Sequence, residues 1–272
     1  MTRIGFYQFC PTFGQVDHNL GQVIQALKYA DADLIVLPEL AFTGYYFGSR
    51  DELLQLAEDP LRSTTVDSLV ALCRERDLYV VTGFAEKHLD RCFNSALLIG
   101  PQGIVHTYRK IHLFGTEQDC FDKGDTPLQV NEAKGVRVGM MICFDWIFPE
   151  VARTLALQGA DVICHPANLV LNYCQQAMIV RCIENLVFAV TANRYGTEQR
   201  PHGDISFTGQ SQVVAPKGEL LYRSPPDRTE LHIIEVDVER ARDKSIATRN
   251  DIVRDRRPDF YRELCRRHED RL

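Results

Sequence analysis

Hydrophobic positions along this chain follow two periods. At residues 34–37, 78–84, 136–142, 162–165 and 187–192 apolar side chains run on with little polar interruption, as in strands buried on both faces. At Leu20, Val23, Ile24 and Leu27 the spacing is helical, and Asp17 and Asn19 suit the start of that helix. Residues 3–9 form the first expected strand, so the chain opens as strand, helix, strand, the layout of a crossover unit. Further helix is expected at 53–56, 66–73, 151–158 and 175–186. The last of these places Met178, Ile179, Cys182, Ile183 and Leu186 on one face.

Residues 92–99 and 104–108 flank Gly100-Pro-Gln-Gly103 and read as a hairpin. Residues 128–130, 210–214, 220–222 and 231–236 complete the strands, with Pro216-Lys-Gly218 as a turn. Residues 109–126 have no period and form a long loop, the kind that usually carries function. No linker or composition shift divides the chain. The expectation is one α/β domain over residues 1–272, with 249–272 as a C-terminal arm.

Composition narrows the function classes. Hydrophobic residues make up 45% and charged residues 25% of the 272, ordinary for a globular protein. A formal charge of −6 argues against nucleic acid as a partner, because an acidic chain gains nothing from counterion release. The basic stretches at 254–257 and 262–267 are interrupted by acids and read as a solvated or interface surface. No apolar run approaches a membrane span, and the N-terminus passes straight into a strand pattern, so a cytosolic protein is expected. Nine cysteines without C-x-x-C spacing read as reduced thiols rather than a disulfide framework or a metal site.

One cysteine stands apart. Cys143 closes the apolar run 136–142 and is followed by Phe144-Asp-Trp-Ile-Phe-Pro-Glu150, which reads as a strand, a tight elbow and a helix start. A thiol at such an elbow lies near backbone N–H groups that can stabilise a thiolate or an oxyanion. Glu39, in Leu37-Pro-Glu-Leu40, follows another apolar strand directly, where a partly buried carboxylate serves as base and acid in turn. Lys110, in Tyr108-Arg-Lys-Ile-His-Leu-Phe114, offers a cation at a third strand exit.

Together these segments resemble the nitrilase, or carbon–nitrogen hydrolase, superfamily. The stretches 165–168, 181–185, 191–194 and 209–211 also look like family segments, so the resemblance runs from residue 3 to residue 261. It implies a four-layer α-β-β-α sandwich, usually paired through a helix layer into a dimer. It implies a Glu39, Lys110 and Cys143 triad, with Glu117 orienting the lysine and the substrate. The chemistry implied is hydrolysis of a small amide or nitrile through a thioester, with the Phe144 N–H and Lys110 holding the oxyanion and no cofactor. N-carbamoyl hydrolysis and acyl transfer are the alternatives on the same scaffold, and a non-catalytic binding protein, which loss of a triad residue would signal, ranks behind them because all three are present.

Family members that grip an α-carboxylate often carry an arginine where this chain has Trp146, so a neutral substrate is expected. Phe144, Trp146, Tyr45 and Asn168 are the candidate substrate contacts, with Tyr46 as a further aromatic. A cysteine–histidine enzyme using His112 or His165 as base is the competing class. Cys10 and Cys120 are read as incidental thiols. The apolar helix at 175–186 and the charged, aromatic segment 249–261 together point to a homodimer or higher even-numbered oligomer.

Overall fold

Two six-stranded sheets lie face to face in the computed structural model, which describes residues 1–266. The first sheet is built from β1 (Thr2–Gln8), β2 (Leu34–Val36), β3 (Tyr79–His88), β4 (Arg91–Gly100), β5 (Gly103–Arg109) and β14 (Glu230–Val236), in the order β14-β1-β2-β3-β4-β5. The second holds β6 (Val130–Ala133), β7 (Val136–Met140), β8 (Val162–Ala167), β9 (Phe188–Asn193), β12 (Gln212–Val214) and β13 (Leu220–Arg223), in the order β13-β12-β9-β8-β7-β6. In each sheet the central strands are parallel, β1-β2-β3 in one and β7-β8-β9 in the other.

The period-two alternation of the strands decides which core each side chain joins. Ile4, Phe6, Leu34, Val36 and Val81 point between the sheets, where they meet Val138, Met140, Val162, Cys164 and Val190. Tyr7, Phe9, Ile35, Leu37 and Val80 point the other way, onto α1 (Val16–Leu27) and α3 (Thr64–Arg76). The outer face of the second sheet is covered by α5 (Pro149–Leu157) and α6 (Cys174–Asn185). The layers are therefore helix, sheet, sheet, helix, as expected. Burial of each large apolar side chain in this middle core contributes about 1.5–3 kcal/mol.

Local chemistry explains the helix ends. Ser63 accepts from the Val66 N–H at 3.0 Å and caps α3, and Pro149 opens α5 where no N–H is needed. Asn19 is not a start signal for α1. It lies one turn inside, buried, and its amide ties Thr12 and Phe42 to the helix at 2.7–2.8 Å. Two short helices, α2 (Arg50–Leu56) and α4 (Glu117–Cys120), flank the site, and α4 is the only helix within the long loop at 109–126.

Three expectations need correction. The strand expected at 128–130 is β6, starting at Val130, because Lys134 and Gly135 (φ +54° and +81°) make the tight turn that sets its register against β7. A hairpin of β10 (Tyr195–Arg200) and β11 (Gly203–Thr208) was not expected. On α6 the buried face is Cys174, Gln175, Met178, Arg181, Cys182 and Asn185, while Ile183 is exposed and packs beside the Gly218 turn.

After β14 come α7 (Glu239–Arg242) and a small ladder of β15 (Ser245–Ala247) and β16 (Asn250–Asp251). The tail then runs through short 3-10 turns that leave Phe260 and Leu264 exposed. The end of the proposed arm, 267–272, lies outside the described residues. Among the described residues no helix is long and apolar enough to cross a membrane.

Candidate active site

Cys143 sits where the chain leaves β7. Its φ of +38° puts a non-glycine residue in the left-handed region, a conformation that persists only where surrounding bonds hold it. Asp145 supplies those bonds. Its Oδ2 accepts from the Ile142 N–H at 2.9 Å and the Tyr108 hydroxyl at 2.8 Å, and its Oδ1 pairs with His112 Nδ1 at 2.8 Å.

From below, His165 Nε2 donates to the Cys143 carbonyl at 2.9 Å, and the Thr191 hydroxyl is 3.2 Å from Nδ1. Burial pulls the His165 pKa down to about 4, so the ring is neutral and carries its proton on Nε2. His165 thus ties the elbow to β9, one nitrogen on each. His112 is turned to Asp145 and stacks flat on Phe148 at 3.6 Å. Both imidazoles are committed to holding the elbow, which argues against the histidine-base class.

Opposite the elbow lies a buried cluster of charges from the first sheet. Glu39 follows β2, Lys110 follows β5, and Glu117 opens α4. Lys110 Nζ donates to Glu39 Oε1 at 2.6 Å and to the two Glu117 oxygens at 2.8 and 2.9 Å. Asn94 on β4 adds a second donor to Glu39 Oε1 at 2.7 Å, and the Tyr45 hydroxyl donates to Glu117 Oε1 at 2.8 Å. Burial raises the Glu39 pKa to about 7, with Lys110 opposing and Glu117 adding. For Lys110, burial works against the charge, but Glu117 and Glu39 prevail and hold the ammonium firmly protonated.

Gly83 of β3 makes the placement of Glu39 possible. A Cβ at Gly83 would stand 2.3 Å from the Glu39 Cα, and the Gly83 N–H and carbonyl bond the backbone on either side of Glu39, at Pro38 (3.1 Å) and Ala41 (3.3 Å).

Asn168, just past β8, joins the two halves. Its carbonyl accepts from the Cys143 Sγ at 3.7 Å, and its side-chain Nδ2 donates to the Glu39 carbonyl at 2.9 Å. Burial pushes the Cys143 thiol well above its ordinary pKa, with the charge of Glu39 adding to the effect. A proton on sulfur at rest therefore needs a base at the moment of attack. Glu39 Oε2 and Asn168 Oδ1 are buried without a donor among the described residues.

A narrow pocket opens on Cys143 and Asn168, with apolar walls from Phe114, Phe144, Trp146, Val170 and Leu171. Trp146 packs edge-on against Tyr173 at 5.6 Å, and Arg181 fixes its carbonyl at 3.1 Å. Of the candidate substrate contacts, Phe144, Trp146 and Asn168 border the pocket. Tyr45 does not. Its ring lies edge-on to Phe207 at 5.7 Å, and its hydroxyl is spent on Glu117 behind the cluster. The Tyr46 ring lies tilted against His202, with centroids 4.3 Å apart.

Neither Cys10 nor Cys120 borders this cavity. Cys10 lies 3.6 Å from an Arg194 nitrogen, and Cys120 shares a separate small cavity with Tyr45 and Glu117. All nine cysteines are free thiols. Asn94 and Asp145 are contributors that the sequence does not single out as site residues. Of these only Asp145 had a local signal, as the residue two past the cysteine in a tight elbow.

A family model described as carbon–nitrogen hydrolase matches residues 3–245. A protein named nitrilase from Pyrococcus abyssi is 42% identical over 96% of this chain and 99% of its own. An (R)-stereoselective amidase from a Pseudomonas species is 36% identical, covering 96% of this chain and 97% of the relative. Among solved structures, a carbon–nitrogen hydrolase from Helicobacter pylori G27 matches with a TM-score of 0.86 at 26% identity, over 98% of both chains.

Proposed function

We propose that this chain, which belongs to the carbon–nitrogen hydrolase family, releases ammonia from small neutral amides through a thioester on Cys143. The observation that carries this reading is the buried Glu39–Lys110–Glu117 cluster set against the elbow cysteine, with Asn168 bonded to both sides. The Glu39 carboxylate takes the proton from Sγ as sulfur attacks the carbonyl carbon. Lys110 and the Phe144 N–H hold the oxyanion. Glu39 then passes the proton to the nitrogen, the C–N bond breaks, and ammonia leaves the acyl thioester. Water attacks the thioester as Glu39 takes its proton, the C–S bond breaks, and Glu39 returns the proton to the thiolate. A carboxyl that titrates near 7 is suited to both directions of transfer.

Two features favour an amide over a nitrile and a neutral acyl group over a charged one. The unpartnered acceptors Glu39 Oε2 and Asn168 Oδ1 call for N–H donors, which a primary amide brings and a nitrile lacks. The pocket walls are apolar, and the charge of Lys110 is balanced by two carboxylates, so among the described residues no unpaired cation is left there to bind an acidic acyl group. Ammonia release from a panel of small amides, N-carbamoyl compounds and nitriles tests the proposal. Small amides are expected to turn over fastest, with all activity lost in Cys143→Ala. Silence across the panel, or full activity in the alanine variant, would overturn it.

A further inference from the structure

We infer that Glu198, on the hairpin outside both sheets, is a positioning residue for the charge cluster, an inference that rests on the amidase reading above. Glu198 is the one inward-facing residue of β10 and is 5% exposed. Its carboxylate accepts from the Tyr46 N–H at 2.7 Å and from the Tyr45 N–H at 3.1 and 3.2 Å, and it pairs with Arg194. Arg194 is itself buried, donates to the Pro11 carbonyl at 3.0 Å and lies over the Phe207 ring. The turn before Tyr45 is shaped for this carboxylate. Gly44 has φ +81°, and a Cβ there would stand 2.9 Å from Glu198 Oε1.

Through these bonds the hairpin sets where the Tyr45 backbone sits, and the Tyr45 hydroxyl reaches Glu117 Oε1 at 2.8 Å. Glu117 in turn holds Lys110, and Lys110 holds Glu39. The path from the peripheral hairpin to the catalytic base runs through hydrogen bonds joined by the covalent frame of Tyr45. Loss of the phenol would leave Glu117 with more uncompensated charge, and that charge favours a proton on Glu39. The base would then stay protonated to a higher pH. The alternative role for Glu198 is to neutralise Arg194 and nothing more.

The test compares the wild type, Glu198→Asp, Tyr45→Phe and the double variant, with thermal melts confirming that each is folded. Glu198→Asp keeps the charge beside Arg194 but shortens the reach to the Tyr45 and Tyr46 N–H groups. Two readouts are used: kcat and KM for amide hydrolysis, and the pH dependence of Cys143 alkylation by iodoacetamide, followed on the Cys143 peptide by mass spectrometry. Each single variant is expected to lose about tenfold in kcat with little change in KM. Each should move the alkylation midpoint to higher pH, and the double variant should be no worse than the poorer single.

Wild-type kcat and midpoint in folded Glu198→Asp, or losses that multiply in the double variant, would overturn the inference. Tyr45→Phe removes one oxygen atom and keeps the core packed, so an unchanged midpoint there overturns it whatever Glu198→Asp does to folding. A wild type that alkylates at Cys143 but hydrolyses no amide counts against the amidase reading alone, because the midpoint shift still decides the role of Glu198.

Discussion

The exits of the two sheets bring opposite things to the site. Beyond β2 and β5 the first sheet delivers charge: Glu39 and Lys110, both fully buried, with Glu117 and Asn94 closing the bonds around them. Beyond β7 and β8 the second sheet delivers shape: a cysteine in a left-handed conformation, held by a neutral histidine, an aspartate and a backbone carbonyl. Charges can be buried only where partners come with them, so the first exit needed several residues close in space. A nucleophile needs direction, so the second exit needed one constrained turn. Asn168 is the joint between them.

The largest effect should come from breaking the charged exit. Glu39→Gln and Lys110→Ala are each expected to lower kcat on the order of a thousandfold or more, since each removes charge handling at the tetrahedral intermediate. Steady-state ammonia release checks this, and a loss of less than about tenfold would remove the residue from the mechanism. In the same assay Glu117→Gln should cost far more than Asp119→Asn two residues along, because of the two only Glu117 bonds Lys110.

A smaller effect follows from pH. Glu39 is raised from an ordinary glutamate value to about 7, and it acts as a base only when ionised. The rate constant kcat/KM should therefore rise with pH through about 7 and fall below it. Lys110 is held protonated, so its charge should not be lost on the alkaline side. A profile that stays flat down to pH 5 would show that Glu39 titrates elsewhere.

The smallest expected effect on chemistry concerns the outer layers. The helices over the second sheet leave Leu157, Val180 and Ile183 exposed, and Leu264 of the tail, also exposed, borders the same surface pocket as Leu157. We expect a homodimer joined on this side, with truncation after Arg249 weakening the dimer and leaving kcat nearly unchanged. Light scattering at micromolar concentration checks both, and a wild-type mass near the 31.0 kDa of one chain would refute the dimer.

How much of this was legible in the sequence depended on how local the signal was. Glu39 and Cys143 each end an apolar run, so their places at strand exits could be read directly. Lys110 can be read as a cation at a strand exit, whereas Glu117 sits in an aperiodic loop and is reached only through the resemblance. Asn94 lies mid-strand in β4, where nothing local separates an amide facing a carboxylate from one facing solvent. The hairpin that carries Glu198 escaped for a sharper reason. Its one inward residue on β10 is a carboxylate, so the polar and apolar alternation that marks a strand is absent there. The available signal was the turn at Pro201-His-Gly203.

Gly83 carries a consequence for anyone mutating this protein. A side chain there would collide with the Glu39 backbone, which is itself pinned to β3 on both sides and has no room to yield. In a saturation library scored by turnover, position 83 should tolerate nothing else. It would rank with the nucleophile although it has no side chain to offer a substrate. Intolerance at that position would report the thickness of a backbone, and a search for new specificities is better spent on the cavity wall at Val170 and Leu171 than beneath the carboxylate.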